Sequence, residues 1–143
     1  APDYLSLTEL VGVAFAVAGE ANHFRYVQMP YNLIMTEAYA LVNQQVGDNF
    51  LSPIAAAAEL GLTVITSATV KQGALDSPFM ADLAPYFPEV ATDAQRAIQF
   101  ARSTPGVTAA LVGMSQPVHV AENLALVQIR PSNPDVIDGL FAL

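Results

Sequence analysis

A chain of 143 residues, 53% of them hydrophobic and 13% charged, is long enough for one domain with a real core and leaves few residues for a solvated surface. Its formal net charge of −8, with only five lysines and arginines, argues against nucleic acid and anionic membranes as partners. With no cysteine, neither a disulfide framework nor a thiolate zinc site is available.

Tyr4 to Glu20 is expected to form the first helix. Ser6 and Glu9 have capping-box spacing, and Gly19 lies near the expected end. Val11 to Ala18 is apolar on every face, which reads as a helix covered by neighbouring elements, with a ligand or membrane surface as the alternative. Leu10 to Gly19 is the longest apolar run. It is too short to span a bilayer and has no basic segment before it, so a soluble, cytoplasmic protein is the expectation. Phe24 to Pro30 reads as a strand that the proline ends. Tyr31 to Phe50 shows no sheet pattern and is expected to be a loop carrying a short helix. Loops of that length in compact domains usually serve a site.

The centre of the chain is better marked. Ser52 and Pro53 open an alanine-rich helix and Gly61 closes it: side-chain cap, proline at the first helical position, glycine just past the end. The β-branched run from Leu62 that follows reads as a parallel strand buried on both faces. Gly73 lies in the next loop, where the backbone meets either a tight turn or an approaching ligand. Asp76 to Ala91, with three prolines, suits an ordered loop. Thr92 and Gln95 form a second capping box, opening a helix to about Ser103 with Ala94, Ala97, Ile98 and Ala101 inward. Pro105-Gly106 breaks it. Val107 to Val112 is expected as a third buried strand, residues 113–116 as a turn, and Pro117 to Ile129 as the last helix. The tail from Arg130, with Pro131 and Pro134, is expected to be irregular. About four helices thus alternate with three parallel strands in one α/β domain over 1–143, its active edge at the carboxyl ends of the strands.

The chemistry available is narrow. There is no nucleophile–base pair, no HExxH, no phosphate loop and no GxGxxG turn. His23 and His119 are too far apart to read as a metal pair. Gln28 near a strand end could pair with another amide, donating and accepting at once, or simply satisfy neighbouring backbone. Lys71, the only lysine, could meet a phosphate or be a solvated surface charge. After the Gly113-Met-Ser115 turn, His119, Glu122 and Asn123 fall on one face of a helix near its positive end, able to receive an anion or a ribose. For Glu122, charge–dipole placement in an early turn is the alternative.

Four segments, in order, resemble the aldo/keto reductase family. They are Tyr26-Val-Gln-Met-Pro-Tyr-Asn-Leu33, Ser67-Ala-Thr-Val-Lys-Gln-Gly-Ala-Leu75, the stretch from Ala94 to Val107, and Val112-Gly-Met-Ser-Gln-Pro-Val-His-Val-Ala-Glu-Asn-Leu124. The resemblance covers nearly the whole chain. It implies part of a (β/α)8 TIM barrel, from the family's fifth helix onward and so containing its strands six to eight, in an enzyme that uses NADPH or NADH to reduce aldehydes and ketones. By resemblance, Gln28 holds the nicotinamide carboxamide, and the loop from Val70 through Lys71 to Gly73 wraps the pyrophosphate. Ser115 and His119 meet the 2′-phosphate, and Glu122 and Asn123 meet the adenine. Ser67 stands where most members stack an aromatic ring on the nicotinamide, and Met114 brings no charge. The family's catalytic Asp, Tyr, Lys and His belong to the other half of the barrel. No catalytic residue is therefore assigned here, and the chain alone is not expected to reduce carbonyls, because hydride transfer needs a proton donor at the carbonyl oxygen.

Two functions follow as expectations. The chain is the nicotinamide-cofactor-binding part of an oxidoreductase, partnered by an N-terminal half-barrel. Alternatively, it is a non-catalytic partial barrel acting as a binding or oligomerising module. Open strand edges and unmatched apolar faces imply in either case that the chain is not a monomer, its expected partner being a further copy or a missing N-terminal half-barrel.

Overall fold

The computed structural model describes residues 4–70 and 78–142. The first helix, α1 (Leu7–Ala18), starts where Ser6 accepts a hydrogen bond from the Glu9 amide and ends at Gly19, whose φ is 56°. A strand, β1 (Tyr26–Pro30), follows. The segment expected to be a loop with a short helix contains α2 (Glu37–Ala40) and also a hairpin, β2 (Gln44–Val46) and β3 (Asn49–Leu51). Gly47 and Asp48 make its two-residue turn, and Gly47 has a φ of 58°, as hairpins with glycine at the first central position require. The hairpin has a mechanical role. Gln44 is buried, accepts from the Leu7 amide at 2.9 Å and donates to the Leu5 carbonyl, so it holds the start of α1.

The central repeat has the expected form. In α3 (Pro53–Glu59), Ser52 accepts from the Ala55 amide, proline stands in the first turn, and Gly61 lies just past the end with a φ of 70°. Strand β4 (Thr63–Ser67) then pairs in parallel with β1 on one side and with β5 (Val107–Ala110) on the other, giving the order β1-β4-β5. Between β4 and β5 lie α4 (Pro78–Asp82) and α5 (Asp93–Ser103), the latter opened by both halves of the Thr92–Gln95 capping box. The chain continues through α6 (Pro117–Ala125) to α7 (Pro134–Phe141). The fold is thus mixed α/β: a three-stranded parallel sheet and, among the described residues, seven α-helices rather than about four.

Helices cover one face of the sheet. Val64 and Thr66 of β4 are wholly buried on that face, where Val27, Met29, Val107 and Ala110 also pack. The core behind them is built from Ile54, Ala57, Phe87, Ala97, Phe100 and Ile137. Tyr31 stacks on Phe100 with centroids 5.2 Å apart, and burial pushes its phenol well above the ordinary tyrosine range.

Three expectations are corrected. First, β4 is not buried on both faces, nor is β5 a buried strand. Thr63, Ile65 and Ser67 are only half covered, and Tyr26, Gln28 and Ala109 are exposed, because the described helices form a single layer. Second, α1 is not covered: Leu7 is its one buried residue, while Val13, Phe15 and Val17 are exposed. Third, the tail is not irregular. Asn133 caps α7 through the Asp135 amide, and Pro134 opens it.

Candidate functional site

The carboxyl edge of the sheet is where β1, β4 and β5 release their loops on the same side. It is clamped from both neighbours. Beyond the β1–β4 ladder, the Tyr31 amide donates to the Ser67 carbonyl at 3.1 Å. The next residue, Asn32, is wholly buried. Its Nδ2 donates to the Ala68 carbonyl at 2.9 Å, while its Oδ1 accepts from the amides of Ile34 and Met35, each at 2.8 Å. From the other side, the Thr69 hydroxyl donates to the Leu111 carbonyl at 2.9 Å, and the Leu111 amide donates to the Thr66 carbonyl at 2.8 Å. Between these clamps Ala68 has a φ of 58°, the one non-glycine residue with positive φ among those described. A left-handed alanine costs about 1–2 kcal/mol and persists only where its surroundings over-determine it. Here Asn32 and Thr69 do so, fixing the direction in which the chain leaves β4. None of the three residues was singled out from the sequence. The available signal was an asparagine and a threonine directly after strands, side chains that bond loop backbone.

Two of the expected cofactor residues share one face of the sheet. Gln28 lies opposite Ile65 and Ser67 opposite Pro30 in the parallel register, so Gln28 and Ser67 sit two pairs apart on the open face. The Gln28 side chain is exposed and that of Ser67 half-buried. Val70 packs against the core cluster, so its side chain serves the fold whatever its backbone faces. Lys71 and Gly73 lie outside the described residues. Ser115 and His119 are exposed; Glu122 and Asn123 are half-buried.

Glu122 has structural work of its own. Its carboxylate accepts from the Thr92 hydroxyl, and its carbonyl accepts from Gln95 Nε2 at 2.8 Å, which ties α6 to the cap of α5. Since α6 begins at Pro117, Glu122 lies beyond the first turn, and the charge–dipole alternative for it is set aside.

The titratable groups with resolved shifts lie elsewhere. The Tyr39 phenol is pushed up to about 12, first by burial and then by the Asp138 carboxylate to which it donates. Burial lowers the Arg102 guanidinium, which donates to Gln99 Oε1 and the Ile129 carbonyl. A cavity of about 300 Å³ opens among Leu33, Thr36, Leu83, Tyr86, Phe100 and Leu140, and no expected cofactor residue lines it. Among the described residues no His, Asp and Glu cluster could hold a metal, and no helix is long and apolar enough to cross a membrane. No protein-family model matches the chain, and no curated protein matches it.

Proposed function

We propose that the chain is the cofactor-side portion of an aldo/keto reductase-like (β/α) barrel, taking NADPH or NADH across the carboxyl edge of its sheet and reducing no carbonyl by itself. One observation carries the reading. Gln28 and Ser67 share the open face, and the 113–116 segment leaves the same edge, although these residues come from three distant parts of the chain. Sequential parallel strands covered on one face suit a piece of a barrel, whereas an open doubly wound sheet is covered on both. In this arrangement the Gln28 carboxamide pairs with the nicotinamide amide, donating and accepting at once. The adenosine end runs toward Ser115, His119 and Asn123.

Affinity is weak in this reading. Ser67 offers no ring to stack on the nicotinamide, and the open face leaves much of the ligand in water. The cofactor is anionic, the chain carries −8, and Lys71 is the one lysine to offset it. Calorimetry against NADPH, NADH and ATP tests the proposal. The nicotinamide dinucleotides should bind with dissociation constants no tighter than about 0.1 mM, about −5.5 kcal/mol, and Gln28→Ala should weaken them further. ATP binding as tightly as the dinucleotides would sink it. A second reading, an assembly module, is favoured by the apolar side chains exposed on α1 and α6.

A further inference from the structure

The cavity of about 300 Å³ takes no part in the cofactor reading. Its walls come from the segment after β1, the end of α4 with the turn beyond it, α5 and α7, and no described strand residue lines it. It therefore lies within the helix layer, while Gln28 and Ser67 lie on the open face. Among its described lining residues are the rings of Tyr86, Phe100 and Phe141. These rings are held in place. Phe100 is stacked on the wholly buried Tyr31, with centroids 5.2 Å apart. Phe141, at the end of α7, tilts against Phe100 at 6.3 Å and against Tyr39 at 5.1 Å. Helix α7 is itself anchored by the wholly buried Ile137 and by the hydrogen bond that the Tyr39 phenol donates to Asp138. The polar residues of the lining are Thr36, Asp82 and Tyr86, and no lysine, arginine or histidine is among them. Asp138 is engaged by Tyr39, whereas Asp82 makes no ion pair among the described residues.

We propose that this cavity binds a small arylalkyl ammonium ion, a primary amine joined to one aromatic ring by a short chain. Volume sets the size of the body. An apolar cavity of about 150 Å³ takes one benzene ring, so roughly twice that volume takes a ring with its chain. The ring walls favour an aromatic body, packed edge-to-face or offset against them, and their faces attract a cation. The lining sets the charge. An ammonium group has three donors and no acceptor, and the Asp82 carboxylate with the hydroxyls of Thr36 and Tyr86 can accept from it. An anion would meet Asp82 with no lining cation to offset it, so the same residues select against carboxylates and nucleotides. Because the rings are already fixed by Tyr31 and Tyr39, little ordering is needed when the ligand enters.

The test uses no nucleotide, so it stands or falls apart from the cofactor reading. The full chain is titrated, with amide shifts followed by nuclear magnetic resonance, against phenethylamine, phenethyl alcohol and hydrocinnamate, which share a ring and a short chain. The amine should bind in the millimolar range or tighter, the alcohol about fivefold more weakly, and the anion not measurably. The shifts should gather at Leu33, Tyr86 and Leu140, around the cavity. Asp82→Asn, at an exposed position, should reduce the amine to the affinity of the alcohol and leave the alcohol unchanged. Leu140→Trp, which fills the cavity, should abolish binding of both with an unchanged far-ultraviolet dichroism spectrum; if that variant does not fold, Asp82→Asn decides. The proposal is overturned by an alcohol that binds as tightly as the amine, by an Asp82→Asn chain that keeps the amine's advantage, or by shifts that gather around Gln28. No binding of the amine at about 10 mM also overturns it, and would mean that the chain fills this cavity itself.

Discussion

The side chain of Thr66 is wholly buried opposite Met29 on one neighbouring strand and Ala110 on the other, and its Oγ1 has no hydrogen-bond partner. A buried hydroxyl without a partner forfeits its water contacts and costs about 1–3 kcal/mol, while valine has nearly its shape. Thr66→Val should therefore raise the thermal midpoint, with stability higher by up to about that amount. A fall in the midpoint would show that the hydroxyl has a partner after all. What could be read in advance is position: Gln28 on β1 and Ser67 on β4 lie in segments that read as strands. The clamp was hidden because its bonds join residues 36 and 42 positions apart, Asn32 to Ala68 and Thr69 to Leu111. The strain at Ala68 has no sequence mark, since alanine is not a residue that signals positive φ.

At the scale of elements, the caps were the most legible features. Ser6, Ser52 and Thr92 each accept from the amide three residues on, a local bond that local sequence specifies. The hairpin was missed although Gly47-Asp48 between β-compatible residues is a turn signal, because its strands are three residues each and show no alternation. The tail was misread for a different reason. Two prolines suggested irregular chain, yet α5 holds the approach to α7 through a polar seam. Gln99 Nε2 donates to the Arg130 carbonyl at 2.8 Å, and Ser103 Oγ accepts from the Ser132 amide at 2.8 Å. Where α5 ends, Gly106 decides how β5 meets α3. Its φ is 87°, and a Cβ there would lie 2.6 Å from Cγ2 of the buried Ile54. Gly106→Ala combines backbone strain of about 1–3 kcal/mol with overpacking of similar size. It should lower the denaturation midpoint sharply, and Gly106→Ala combined with Ile54→Leu, which lacks the Cγ2 methyl, should recover part of the loss. Equal stability of Gly106→Ala and wild type would mean that this junction is loose.

For the molecule as a whole, charge and fold are in tension in a way that salt can reveal. The chain has 13 acidic residues against five lysines and arginines. Among the described residues there is one ion pair, Arg96 with Asp93, three positions apart on α5. Such a pair contributes about 0.5 kcal/mol, so screening it costs little. Screening the repulsion among the excess carboxylates acts on the whole surface, and it favours the compact state more than the expanded one. Added sodium chloride, between low and physiological ionic strength, should therefore raise the thermal midpoint. A rise on the order of 2–4 °C would correspond to about 1 kcal/mol for a chain of this size. Chloride is the salt to use, because sulfate also strengthens apolar burial and would blur the cause. A midpoint that falls with salt would mean that ion pairing, rather than apolar packing and the caps of α3 and α5, holds the molecule together.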